Sequence, residues 1–103
     1  MTKLNVYTKE GTGSWEHPNY LVPAKVYLND EYVGETGTGG GFKGGGLNGI
    51  QIPDGVEWIK VKVVSKGRSL VALRAISPTF RLMTLIFNLT TEEIRTYVRR
   101  HKK

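Results

Sequence analysis

The sequence predicts a mainly β fold, a small antiparallel sandwich or barrel with one C-terminal α-helix. Three observations predict it. Six or seven short segments alternate apolar with polar residues at a period of two. Turn formers (Gly, Pro and an Asn-Asp pair) separate these segments. The last stretch carries a helix start signal and apolar residues at helical spacing. With 103 residues, 39% hydrophobic and 23% charged, the chain fits one globular β-rich domain spanning 1–103.

Leu4 and Val6 alternate with Lys3, Asn5 and Tyr7, which reads as a half-buried strand over residues 3–8. Residues 9–19 form a loop rich in turn formers that holds Trp15 and His17. An aromatic there either presents a rigid face to a partner or folds back over the edge of the core. Residues 20–28 resume the alternation through Val22, Ala24, Val26 and Leu28, and Pro23 marks an edge or a bulge. Asn29-Asp30 suits a tight hairpin turn, with Tyr32-Val33 beginning a short return strand.

A glycine-rich loop, residues 34–49, comes next and holds nine of the thirteen glycines. Leu47, Ile50 and Ile52 lead back to the core, and Pro53-Asp54-Gly55 is a turn. Residues 56–64 form the strongest strand. Ile59, Val61 and Val63 face one way, Trp58, Lys60 and Lys62 the other. Lys66-Gly67 supplies another turn and residues 69–76 another apolar segment; residues 79–89 read either as a helix opened by Ser77 and Pro78 or as a strand, which their Thr, Phe and Ile content favours. Thr90-Thr-Glu-Glu93 reads as a capping box opening a helix over about residues 91–102, with Ile94, Tyr97 and Val98 on its docking face.

Residues 25–68 contain three pieces that resemble the PEGA-type repeat: Lys25-Val-Tyr-Leu-Asn-Asp-Glu-Tyr-Val-Gly-Glu-Thr36, Ile50-Gln-Ile-Pro-Asp-Gly-Val56, and Ile59-Lys-Val-Lys-Val63 with Lys66-Gly67. The resemblance rests on the Val-Gly-x-Thr hairpin end, the Pro-x-Gly turn and the valine strand. It implies an immunoglobulin-like β-sandwich that acts as a non-catalytic binding or spacer module, usually outside the cytoplasm. The glycine-rich loop is longer than the family's connection, and residues 77–103 have no counterpart in it.

The net charge of +6 is unevenly distributed: residues 1–52 carry −1 and residues 53–103 carry +7. Solubility alone accounts for such a bias, as does an anionic partner. Cysteine is absent, which excludes disulfides, thiolate metal sites and thiol catalysis. No apolar leader is visible and no window is free enough of charge and proline to span a bilayer, so a cytoplasmic location is expected.

Gly39 to Gly44 satisfies G-x-G-x-x-G, but no helix start follows it and Gly44 replaces the Ser or Thr of a phosphate loop. The run is read instead as a flexible connection with Phe42 and Lys43 at its tip, or as backbone that approaches a partner closely. Trp58, Lys60 and Lys62 interleave an aromatic with cations, as in single-strand nucleic acid sites. The alternative is a wet strand face with Trp58 covered by the N-terminal loop. Arg95, Arg99 and Arg100 form a basic tail able to meet phosphate or anionic lipid, or to remain simply solvated. His17 and His101 lie apart with no serine or carboxylate arranged beside them, so neither catalysis, nor a metal, nor a cofactor is expected. The expected function is a non-catalytic interaction module binding a protein partner or surface through its loops. The second reading is a nucleic-acid-binding protein using the basic half and the Trp58 face, and the third is attachment to an anionic membrane surface.

Overall fold

The computed structural model describes residues 2–10, 22–37 and 46–101. Trp15, His17, Phe42 and Lys43 therefore lie outside the described residues, as does the G-x-G-x-x-G match.

Eight strands make up the described chain: β1 (Thr2–Lys9), β2 (Ala24–Leu28), β3 (Glu31–Thr36), β4 (Leu47–Ile52), β5 (Trp58–Ser65), β6 (Arg68–Ala75), β7 (Phe80–Asn88) and β8 (Glu93–Arg100). They form two four-stranded sheets, ordered β4-β1-β7-β8 and β3-β2-β5-β6, stacked as a β-sandwich. The core lies between them. It takes Leu4 and Val6 from β1, Val26 from β2, Ile59, Val61 and Val63 from β5, and Met83, Leu85 and Phe87 from β7. Strict alternation along β5 and β7 puts every second side chain in this layer and sends its neighbours outward.

Local turn chemistry sets the hairpins. Asn29 and Asp30 have φ of 50° and 70°, and Lys66 and Gly67 have φ of 51° and 77°. Two consecutive positive φ values give the two-residue turn whose twist suits antiparallel strands. Polar ties then join the sheets. Arg74 Nε donates to Thr96 Oγ1 at 2.8 Å and Arg68 Nη1 to the Leu89 carbonyl at 3.2 Å, while within the β3-β2-β5-β6 sheet Ser65 Oγ donates to the Pro23 carbonyl at 2.7 Å. Thr8 Oγ1 donates to the Val22 carbonyl at 2.6 Å and lies 2.5 Å from Thr36 Oγ1, which also accepts the Ala24 amide at 3.1 Å.

Three sequence expectations are corrected. The C-terminal helix is not formed: its residues make β8, paired antiparallel with β7 from Asn88↔Glu93 to Phe80↔Arg100. Ile94, Tyr97 and Val98 have helical spacing, but Ile94, Thr96 and Val98 also alternate, and their β-branching favours a strand. The supposed capping box is a loop held by Asn88, whose Oδ1 accepts the amides of Thr90 and Thr91 at 2.9 and 3.1 Å, with Glu92 at φ 61°. An Asn side chain here satisfies the amides that a helix N-cap would otherwise claim.

The sandwich is also not wholly antiparallel, because β1 and β7 pair in parallel from Lys3↔Leu82 to Lys9↔Asn88. Finally, the glycine-rich segment is shorter as a connection than residues 34–49. Gly34 to Thr36 belong to β3, and Leu47 to Gly49 to β4. Gly37 explains one glycine requirement: with φ 69°, a Cβ there would lie 2.7 Å from the Pro23 nitrogen and the Val22 carbonyl carbon.

Candidate functional site

The outward face of the β3-β2-β5-β6 sheet holds four of the six large exposed apolar side chains among the described residues, Tyr97 and Val98 being on the other sheet. Trp58 is 64% exposed, Leu73 62%, Tyr32 52% and Val71 47%. Register assembles them. Trp58 stands opposite Ala75, Lys60 opposite Leu73, and Lys62 opposite Val71. Lys62 also stands opposite Tyr27, which in turn faces Tyr32. One row thus crosses all four strands as Tyr32, Tyr27, Lys62 and Val71. The two tyrosine rings meet edge to face, with centroids 5.7 Å apart at 64°.

Hydrogen bonding fixes the middle of this face. Asn29 Oδ1 accepts the Lys60 amide at 2.8 Å, and the Asn29 amide donates to the Lys60 carbonyl at 2.8 Å. The β2–β3 turn is thereby clamped beside β5, and Lys60 Nζ reaches Asp30 Oδ1 at 2.5 Å. This ion pair removes one of the two lysine charges from the stretch. Lys25 stands opposite Glu35 one row further on. The face is therefore aromatic and apolar with nearly balanced charge.

Trp58, Lys60 and Lys62 thus share a face, as their alternation in the sequence indicates, and Trp58 is exposed and not covered. Leu73, Val71, Tyr27 and Tyr32 complete the surface and were not singled out in the sequence. One signal was available: in β6 both alternating sets are apolar, Leu70 and Ala72 on one side and Val71 and Leu73 on the other. An edge strand apolar on both faces exposes one of them.

The basic tail is not joined to this face. Arg95 and Arg99 lie on the outward side of β8 in the opposite sheet, opposite Ile86 and Leu82. Arg100 instead covers the Phe80 ring, its guanidinium carbon 5.5 Å from the ring centroid. Arg68 and Arg74 are engaged between the sheets. The cations of the second half are thus divided among structural ties and two faces. Nucleic acid spanning the Trp58 face and the tail together would have to cross from one sheet to the other.

The outward side of the β4-β1-β7-β8 sheet forms a second feature, a hollow of about 520 Å³ lined by Asn5, Tyr7, Leu82, Thr84, Tyr97, Val98 and Arg99. Among the described residues no group of three or more His, Cys, Asp or Glu side chains is placed to hold a metal ion. His101 is exposed at the end of β8, its amide bonded to the Thr79 carbonyl at 2.9 Å. No protein-family model, curated protein or solved structure significantly matches the chain.

Proposed function

We propose that the chain is a non-catalytic protein-interaction module whose contact surface is the outward face of the β3-β2-β5-β6 sheet. The observation that carries this reading is the concentration of Trp58, Leu73, Tyr32 and Val71 on one face. Contiguous exposed apolar residues mark interaction surfaces, and Trp and Tyr supply much of the energy of protein interfaces. The Lys60–Asp30 pair and the Lys25–Glu35 juxtaposition keep the charge low, which favours a protein over a polyanion. Lys62 is left to meet a carboxylate of the partner. The resemblance of residues 25–68 to the PEGA-type repeat agrees with this reading, since that family consists of non-catalytic immunoglobulin-like modules. The contact surface in this reading is a sheet face.

A photo-crosslinking amino acid placed at position 73, with a control at position 84 on the other sheet, tests the proposal in cells. A defined protein adduct from position 73, lost in the Trp58→Ser variant and absent from position 84, is expected. Truncation of a single central aromatic in an interface costs about 2 kcal/mol, or roughly thirtyfold in affinity. Equal adducts from both positions, or adducts indifferent to Trp58, overturn the reading. Sedimentation velocity shows whether the captured protein is a second copy of this chain.

A further inference from the structure

The second sheet carries a different surface. Its outward side holds three accessible cations, Lys3, Arg95 and Arg99, and a single carboxylate, Glu93, while Lys9 is buried. Four rows cross its outward side, the last made of the buried Lys9 and Asn88 with Glu93. Lys3, Leu82 and Arg99 form the first, Asn5, Thr84 and Tyr97 the second, and Tyr7, Ile86 and Arg95 the third. Two tyrosines therefore sit between cations at both ends, around the hollow described above. From strand spacing and rise, their Cα atoms lie about 12 Å apart.

The parts of this surface are held in place. Gly46 sits against the Tyr7 ring so closely that any Cβ there would overlap it. Asn5 Oδ1 accepts the Gly49 amide at 2.9 Å, which leaves its NH2 group as a donor at the hollow. Tyr97 is 48% exposed, a ring available on one side. Neither Lys3 nor Arg99 forms an ion pair with a described carboxylate.

We propose that this outward face of the β4-β1-β7-β8 sheet binds single-stranded nucleic acid, with bases stacking on Tyr97 and Tyr7 and phosphates meeting Arg99, Lys3 and Arg95. The chemistry distinguishes it from the Trp58 face. Here three cations, Lys3, Arg95 and Arg99, outnumber one carboxylate, Glu93, so the net charge favours a polyanion. The aromatic rings accept the flat faces of bases, which a duplex hides in its own stack. Asn5 and Thr84 between them offer neutral donors and acceptors to base edges or sugar. The site does not depend on the protein-interaction reading, because it occupies the other sheet.

Fluorescence anisotropy of a labelled mixed-sequence oligonucleotide, titrated with the whole chain at several salt concentrations, tests it. Three phosphate contacts predict a log–log salt slope of about −2, so affinity falls roughly twentyfold between about 50 and 200 mM salt. Tyr97→Ala should weaken binding at least about fivefold at fixed salt. Arg99→Gln should lower both affinity and slope, while Trp58→Ala on the other sheet should change neither. Tight binding to a duplex of the same sequence in preference to the single strand overturns the proposal. So does an unchanged affinity in Tyr97→Ala, or binding to anionic vesicles without binding to the oligonucleotide. A loss caused by Trp58→Ala places the nucleic acid on the wrong sheet for this proposal and ends it as well.

Discussion

Replacing Thr36 by valine removes one hydroxyl from a buried chain of hydrogen bonds and little else. Thr8 and Thr36 are both completely buried, one in each sheet. The Thr8 hydroxyl donates to the Val22 carbonyl, the Thr36 hydroxyl lies 2.5 Å from it, and the Ala24 amide donates to Thr36. Valine keeps the volume and shape, so no cavity term enters. The lost hydroxyl–hydroxyl bond is worth about 1 kcal/mol, and withdrawing the acceptor from the Ala24 amide costs about 1–3 kcal/mol more. The expected loss is about 2–4 kcal/mol, out of the roughly 5–15 kcal/mol typical of a folded domain. Thr8→Val should cost less, about 1 kcal/mol, because Thr36 Oγ1 also lies 3.2 Å from the Val22 carbonyl and can donate there instead. Urea unfolding followed by circular dichroism reads both values. The Thr36→Val midpoint should fall by about 1–2 M. The double variant should lose less than the sum, since the two groups share one network. A Thr36→Val loss below about 0.5 kcal/mol, or one smaller than that of Thr8→Val, refutes the view that this chain ties the sheets.

Neighbouring residues of β5 should respond oppositely in the same assay: Ile59→Ala should cost about 2–5 kcal/mol and Trp58→Ala within about 0.5 kcal/mol. Lys66→Asn should raise the melting temperature by a few degrees, roughly 0.5–1 kcal/mol, because asparagine tolerates the φ of 51° better and the 3.6 Å contact with Glu10 is exposed. Gly37→Ala should destabilise by more than about 2 kcal/mol, since its Cβ meets backbone that cannot move aside, and a differential melting scan against Gly49→Ala, where nothing lies within 4 Å, isolates that clash from the φ strain both share. Asn88→Ala should cost about 1–3 kcal/mol by stripping the Thr90 and Thr91 amides of their acceptor, with no rise in helix signal by circular dichroism.

What was legible in the sequence follows from the range of the interactions concerned. The β5 alternation and the Asn29-Asp30 and Lys66-Gly67 turns are decided by residues next to one another, and each appears in the structure as read. The C-terminal segment reads as a helix because its apolar residues satisfy both periods. The choice fell to the open flank of β7, a partner supplied from elsewhere in the fold. The Trp58, Lys60 and Lys62 face was visible as one strand, whereas Leu73, Val71, Tyr27 and Tyr32 join it only through register across three other strands. Tyr7 and Tyr97 come together solely because β7 lies between β1 and β8, and no local pattern announces that. The loop tip proposed at Phe42 and Lys43 and the aromatic Trp15 lie outside the described residues.

The parallel pairing of β1 with β7 has a consequence in time. Thr2 Oγ1 reaches the Phe80 carbonyl at 2.8 Å across 78 positions of chain. At about 5–20 residues per second, synthesis of that interval takes roughly 4–16 s. For the first part of it β1 has no partner, and once β4 (Leu47–Ile52) is made its other flank still stays open. The β3-β2-β5-β6 sheet waits less, because its β2–β3 and β5–β6 hairpins are local and β2 meets β5 (Lys25↔Val64 to Leu28↔Val61) before β7 is made. On the ribosome one sheet can therefore assemble before its companion has a centre, and β1 spends those seconds as a sticky edge awaiting β7.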